Sequence, residues 1–232
     1  MLAGLRAELG EKFGAAGAVD FDKQPEIERV PTGIPWLDAA TDGGLAKGSL
    51  CEISASAGPS SGGGVFLLQW LKTAAKSGQR LVLIDAADSF DPCGLGENLC
   101  RSLLWARCRG VEESIKVADL ILRDGNLPFV ALDFQLCLER DLRRVPSSSW
   151  YRLRGLIEDS GATCVALTPK QMLACANGNA GDRFELASRF GLEDCERSEG
   201  YWLAAAVFAG RKAALRERNI VVPSPEVWAK AG

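Results

Sequence analysis

Continuous apolar runs, rather than alternating ones, dominate the hydrophobic pattern of this chain. Four such runs lie at 50–55, 81–85, 128–133 and 163–168, and they alternate with segments of helical spacing at 65–76, 95–107, 111–123 and 150–159. Strands that are apolar throughout are typical of parallel sheets covered by helices on both faces. The segments 184–193 and 201–208 would add later strands as an antiparallel extension. The pattern therefore predicts an α/β fold with a mostly parallel sheet.

The two ends of the chain differ from this central pattern. Leu2, Leu5, Leu9 and Phe13 recur at helical spacing and predict a short amphipathic helix, which would either cap the core of the chain or dock on another protein. A linker-like stretch follows at 14–25. We therefore divide the chain into an N-terminal helix and linker (1–27), a core domain (28–210) and a C-terminal tail (211–232).

Composition excludes several classes of function. The chain of 232 residues has a net charge of −3, which gives no global attraction to nucleic acid or to anionic membranes. It contains no histidine, so Ser-His and Cys-His nucleophiles and most transition-metal sites are excluded, and we predict no metal site. None of the eight cysteines form a C-x-x-C pair, which favours buried, reduced thiols. We expect no signal peptide or membrane span, and a cytoplasmic location.

A glycine-rich turn follows the first long apolar run. The stretch CEISASAGPSSGGG, from Cys51 to Gly64, has the form of a strand, a turn and the start of a helix, which is where backbone amides can bind a phosphate. The P-loop pattern requires lysine and then serine or threonine at its end, but Gly63 and Gly64 take those places. Two interpretations stay open: a phosphate site built from backbone amides alone, or an empty turn.

Ordered motifs around this turn resemble the core of the RecA family. Thr32-Gly33, Leu37-Asp38 and Gly43-Gly44-Leu45 precede the strand, and GQRLVLIDAADSFDP follows at 78–92. PFVALD resembles the Walker B strand, with Asp133 as its acid, and GATCVALT resembles a later core strand. The resemblance spans about 28–210 and implies a RecA-like, three-layer α/β/α core. It also implies a strand, a helix and a strand between Leu103 and Asp133, whereas spacing alone makes 95–107 helical.

The resemblance also implies a nucleotide site at the carboxyl ends of the strands. The residues that would form it are vestigial in this interpretation: Gly58, Ser60, Ser61, Gly62, Gly63, Gly64 and Asp133. No nearby lysine replaces the missing one, because Lys72 lies about 12 Å along the helix and Lys47 about 20 Å away at the opposite edge of the sheet.

Two further features of the family are missing. Ala87 stands where the family has the glutamate that activates water, and Thr168-Pro169 stands where RecA has an Asn-Gln pair. We therefore predict no catalytic residues and no required cofactor, with at most weak binding of ATP or ADP.

The DNA-binding loops of the RecA family correspond here to 134–149 and 169–183. The cations in them that would contact DNA or a partner are Arg143, Arg144, Lys170 and Arg183, and the tail adds Arg211, Lys212, Arg216 and Arg218. Acidic residues are interleaved at 139–144, so a solvated helix face is an alternative for that cluster. The tail includes two prolines and Trp228 near its end, so it is at least as consistent with a protein-binding segment as with a DNA contact.

In overall pattern the chain is most similar to the ImuA branch of this family, accessory proteins of translesion mutagenesis that carry a SulA-type label. The resemblance implies a non-catalytic, nucleoid-associated adaptor in DNA damage tolerance. Its implied partners are RecA, ImuB-like polymerase components, single-stranded DNA and further copies of the chain. A weak DNA-dependent ATPase of recombinational repair and a cell-division inhibitor that acts by protein binding stay as alternatives.

Overall fold

The computed structural model describes residues 27–55, 61–173, 183–186, 190–194 and 196–198, and the backbone of 208–209. The strands are β1 (Arg29–Val30), β2 (Leu45–Ala46), β3 (Leu50–Ser54), β4 (Leu81–Asp85), β5 (Leu103–Arg107), β6 (Phe129–Asp133), β7 (Thr163–Thr168), β8 (Arg183–Leu186) and β9 (Phe208–Ala209). The helices are α1 (Pro35–Ala40), α2 (Gly63–Lys76), α3 (Glu97–Arg101), α4 (Val111–Asp124), α5 (Glu139–Arg144) and α6 (Ser147–Ser160). Single 3₁₀ turns lie at Pro92–Gly94 and Leu192–Asp194.

The main sheet has the strand order β5-β4-β6-β7-β3-β8-β9. The first six strands in this order are parallel, and β9 is antiparallel to β8. Parallel neighbours need crossover connections, which α2, α4 and α6 supply between successive core strands. The predicted α/β fold with a mostly parallel sheet and an antiparallel extension is confirmed.

Two apolar cores lie on the two faces of the sheet, which gives the predicted three layers. On one face Trp70 of α2 is fully buried, and its ring lies 5.7 Å from that of Phe66 and 5.6 Å from that of Phe129. On the other face Ile115 of α4 and Ile157 of α6 pack against β6 and β7. Each such large apolar side chain contributes about 1.5–3 kcal/mol by leaving water. Strands buried on both faces are mostly apolar for this reason.

The segment before β3 is held by a carboxylate. Asp38 of α1 accepts hydrogen bonds from the amide and hydroxyl of Thr32, at 2.8 and 2.7 Å, and from the amide of Gly33, at 3.2 Å. Thr32, Ile34 and Leu37 are buried in the same turn. Two of the paired motifs that precede the strand therefore have a structural role, because they fix the approach of the chain to β3.

One helix predicted from spacing is wrong in part. The segment 95–107 contains the short helix α3, but residues Leu103–Arg107 form strand β5 at the edge of the sheet. Side chains on β5 are only partly buried, and the strand has a single neighbour in the sheet. Its apolar residues follow α3 directly, so the pattern along the chain did not separate the strand from the helix before it. The strand implied for this segment by the RecA resemblance is present.

The structure does not test the predictions for the two ends of the chain. The N-terminal helix and linker (before residue 27) and the tail 211–232 lie outside the described residues, so the division into 1–27, 28–210 and 211–232 stays a prediction. Within the described residues, no helix is both long enough and apolar enough to cross a membrane.

Candidate functional site

The candidate site lies where β3, β4 and β6 end and α2 begins. The parallel register places Asp85 at the end of β4 directly beside Asp133 at the end of β6. Ser61 and Gly62 lead into α2, and Gly62, with φ at +109°, is its N-cap. Clefts at the carboxyl ends of parallel strands are where such folds bind ligands. The structure thus brings Asp133 and the last part of the glycine-rich turn to one edge of the sheet, whereas Gly58 and Ser60 lie outside the described residues.

Asp85 organises the loop that follows β4. Its fully buried carboxylate accepts hydrogen bonds from the amides of Ala87 (3.2 Å), Ser89 (2.8 Å) and Phe90 (2.8 Å), and from Trp105 Nε1 (3.3 Å). A carboxylate with four donors has little remaining capacity to accept more. The conspicuous aspartate of the second core strand therefore shapes a loop.

A second group of contacts holds the same loop from outside. Arg107 of β5 forms a bidentate pair with Asp88, at 2.5 and 2.8 Å, and its guanidinium lies 5.0 Å from the centre of the Trp105 ring. This hydrogen-bonded arginine lowers the pKa of Asp88 below its ordinary value. Phe90 meets Trp105 edge-on, at 5.6 Å between ring centres. Ala87, at the expected position of the water-activating glutamate, offers only a methyl group within this fixed loop.

Asp133 is the remaining acid of the site. Its buried carboxylate accepts hydrogen bonds at Oδ1 from the backbone amide of Gln135, at 3.0 Å, and from Gln135 Nε2, at 3.1 Å. Burial raises the pKa of Asp133; the two hydrogen bonds oppose this effect, and the nearby charge of Asp85 adds to it. The acid is therefore held by its own loop and is more easily protonated than an exposed aspartate.

The beginning of α2 is covered by the same glutamine. Ser61, Gly62 and Gly63 are buried, whereas Gly64 is exposed and faces open space. A Cβ atom on Gly63 would overlap Gln135 Oε1 and would lie 2.5 Å from Cδ and 2.6 Å from Nε2. The side chain of Gln135 thus lies directly against the residue that stands at the lysine position of the P-loop pattern.

Glu52 forms a buried centre that the sequence analysis missed. Its carboxylate is fully buried in β3, where Oε1 accepts from Thr168 Oγ1 (3.1 Å), Met172 N (2.6 Å) and Leu173 N (3.0 Å). Oε2 forms an ion pair with Arg183 Nε of the adjacent strand, at 2.9 Å, and Arg183 also donates to the carbonyl of Leu173. A glutamate inside the apolar run 50–55 was the available signal, because buried charges require partners.

All four of the predicted contact cations in the described part of the chain have acidic partners. Lys170 and Arg143 share Glu139, at 2.7 and 3.5 Å, and these cations lower the pKa of Glu139, chiefly through the hydrogen bond from Lys170. Arg144 lies 3.5 Å from Asp141, and Arg183 is committed to Glu52. Contact with DNA or a partner through these four residues stays a prediction. The tail cations at 211, 212, 216 and 218 lie outside the described residues.

The two lysines weighed as substitutes also lie away from the turn. Lys47 follows β2, before β3 begins, and its ammonium contacts both carboxylate oxygens of Glu28 at 3.0 and 2.9 Å. Lys72 belongs to the third turn of α2. Within residues 61–64 of the described turn, no side chain is cationic.

Comparison with known proteins gives partial matches. No model of a known protein family matches the chain. The chain is 34% identical over 134 residues to "Protein RecA" of Bifidobacterium longum, which is 55% of the chain and 33% of that protein. It is 33% identical over 139 residues to "Protein RecA" of Xanthomonas axonopodis pv. citri, covering 57% and 39% of the two chains. It is 36% identical over 134 residues to "Protein RecA" of Xylella fastidiosa strain M12, covering 55% and 38%.

These matches have a clear limit. The chain spans less than two fifths of the length of these RecA proteins, which are matched over 33%, 39% and 38% of their own residues. The strand order, the parallel sheet and the glycine-rich turn before α2 agree with a core of this kind. Together, the partial matches and the fold support a RecA-like family for this chain.

Proposed function

We propose that the chain is a non-catalytic, RecA-like adaptor in DNA damage tolerance, close to the ImuA type, which acts through contacts with other proteins. The proposal interprets the glycine-rich turn as a degenerate P-loop. The matched relatives supply only the RecA likeness, and the adaptor role is our inference from the site.

One observation carries the proposal: the N-terminal turn of α2 has no cationic side chain, and the amide of Gln135 covers Gly63. Phosphoryl transfer depends on cations that offset charge on the β- and γ-phosphates, and on a residue that positions the attacking group. Ala87 supplies no base at the other side of the site, and its amide donates to Asp85. Asp133 alone, with its raised pKa, would not replace these groups.

An exposed apolar pair supports the part of the proposal that concerns protein contacts. Leu136 and Leu138 are exposed in the segment between β6 and α5, within the region that corresponds to a DNA-binding loop of the RecA family. Exposed leucines attract apolar protein surfaces and contribute nothing to phosphate binding. The cations that follow them on α5 are partly neutralised by Glu139 and Asp141.

The first experiment measures ATP turnover and ATP binding by the full chain, with magnesium and with or without single-stranded DNA. We expect no turnover and a dissociation constant weaker than about 10 μM, which is roughly 7 kcal/mol of binding free energy. DNA-stimulated turnover would overturn the adaptor proposal in favour of the weak ATPase. That alternative keeps one supporting observation, namely that Asp133 ends β6 and binds Gln135, which lies against the start of α2.

The second experiment tests the partner. Immobilised chain is incubated with RecA of Xanthomonas axonopodis, which is a protein of the matched kind. We expect capture by the full chain and a loss of at least tenfold after Leu136→Ser together with Leu138→Ser. Leu120→Ser, at an exposed leucine of α4, is the matched control. No capture by the full chain would contradict RecA as the partner.

A chain truncated before Arg211 separates the tail from the leucine pair in the same assay. Capture that disappears only on truncation would assign the contact to the tail and would refute the role of Leu136 and Leu138. The same capture assay, repeated with an ImuB-like polymerase component and with a cell-division protein, would distinguish the adaptor from the division inhibitor by which of the two proteins is captured.

A further inference from the structure

Gln135 is held in an unusual place for an amide side chain. Its backbone amide and its Nε2 both donate to Asp133 Oδ1, at 3.0 and 3.1 Å, so the side chain folds back over the end of β6. Its carbonyl oxygen, Oε1, is buried and accepts no hydrogen bond within the described part of the chain. The backbone N–H and one N–H of the side-chain amide reach the same carboxylate oxygen, which fixes the orientation of the side chain, with Oε1 against Gly63.

The buried oxygen lies at the positive end of a helix. Gly63 is the first residue of α2, and a Cβ there would overlap Oε1. The amides of a first helical turn have no partner within the helix and carry partial positive charge, which is why such turns attract anions. The partial negative charge of Oε1 therefore occupies the position at which the partial positive charge of the helix end would otherwise attract an anion.

The close approach depends on glycine. Cδ and Nε2 of Gln135 would lie 2.5 and 2.6 Å from a Cβ at position 63, which is closer than side-chain contacts allow. Gly64, one residue later, faces open space, so the restriction belongs to position 63. Glycine at 63 and glutamine at 135 fit as a pair, and any larger side chain at 63 requires the Gln135 side chain to move.

We propose that Gln135 is an internal plug, which closes the beginning of α2 to anions by filling the space over Gly63. The inference rests on the proposed function, for which it gives a physical cause of weak nucleotide binding. It predicts that weak phosphate binding has two causes, the missing lysine and the plug. Substitution of Gln135 should remove the second cause.

The test titrates the full chain with inorganic tripolyphosphate in the presence of magnesium, by calorimetry. We expect Gln135→Ala to bind at least tenfold more tightly than the unaltered chain. Gln79→Ala is the matched control, because Gln79 is an exposed glutamine just beyond the opposite end of α2, and its affinity should equal that of the unaltered chain. Equal affinities for Gln135→Ala and the unaltered chain would overturn the plug.

A thermal unfolding cycle tests the same contact without any ligand. Gly63→Ala should change the unfolding midpoint less favourably in the unaltered chain, where the Gln135 side chain must move, than in the Gln135→Ala background. The same shift in both backgrounds would refute the contact. If Gln135→Ala does not fold, Gln135→Asn, which is one methylene shorter, takes its place. ATP turnover by the unaltered chain would overturn the proposed function, whereas equal tripolyphosphate affinities would overturn only the plug.

Discussion

Substitution of Glu52 by glutamine tests the buried ion pair between β3 and β8. The change keeps one oxygen for the three donors at Thr168, Met172 and Leu173, but it places an NH2 group against Arg183 Nε, where the carboxylate oxygen now lies at 2.9 Å. The Glu52 side chain is 0% exposed and that of Arg183 is 17% exposed, so water has little access to the lost contact.

The expected cost follows from this burial. Removing one partner of a buried ion pair destabilises a protein by about 3–5 kcal/mol, because the remaining charge stays without compensation. The matched control is Glu28→Gln, which breaks the pair with Lys47, whose side chains are 70% and 45% exposed. Exposed pairs contribute about 0–1 kcal/mol. The same chemical change should therefore differ by about 2 kcal/mol or more between the two sites.

The assay is equilibrium unfolding in urea followed by tryptophan fluorescence, which the six tryptophans make sensitive. Arg183→Met should cost about as much as Glu52→Gln. The double variant should cost clearly less than the two added together, because no unpaired charge remains. A Glu52→Gln variant that unfolds within about 1 kcal/mol of Glu28→Gln would refute the reasoning.

Three further predictions concern separate parts of the structure. Because burial raises the pKa of Asp133 above its ordinary value of 3.8, the folded chain binds this proton more tightly than the unfolded chain. The resulting contribution to stability is complete below pH 3.8 and is lost as pH rises through the raised pKa. Urea unfolding across this pH range should show that loss in the unaltered chain and not in Asp133→Asn. Burial, with the charges of Asp133 and Asp141, raises the pKa of the Cys137 thiol from 9.0 to about 11, so at pH 8 iodoacetamide should alkylate it at least tenfold more slowly than the exposed Cys100, as read by peptide mass spectrometry; equal rates would contradict this. Gly44→Ala places a Cβ 2.6 Å from the carbonyl carbon of Val30 at φ of +118°, and should cost about 2–3 kcal/mol, against about 1 kcal/mol for Gly78→Ala, whose positive φ faces open space.

Sequence reasoning located the inner strands closely, and the reason is local. β3, β4, β6 and β7 are buried along their whole length, so each appears as a short, mostly apolar run that can be recognised without knowledge of its neighbours. The edge strand β5 was ambiguous, because its single neighbour leaves its residues partly exposed and its pattern compatible with a helix. A strand at an edge is defined by pairing, which spacing along the chain does not contain.

The candidate site divides in the same way. That a lysine is missing from the glycine-rich turn, and that an alanine stands at position 87, are facts of residue identity and were available from the start. The roles of the two acids could not be predicted from residue identity. Asp85 holds a loop, and Asp133 is held by Gln135. Those roles depend on hydrogen bonds whose geometry only the folded loops define.

The sequence by itself determined the class of fold, the place of the glycine-rich turn and the absence of a cation within it, because residue type and local spacing suffice for each. Only the tertiary structure decided that Gln135 lies over Gly63 and that Arg183 forms an ion pair with Glu52. Both contacts join segments that are distant along the chain, as Glu52 and Thr168 are, 116 residues apart. The parallel sheet sets such segments side by side, and burial then requires each charge and amide to find its partner there.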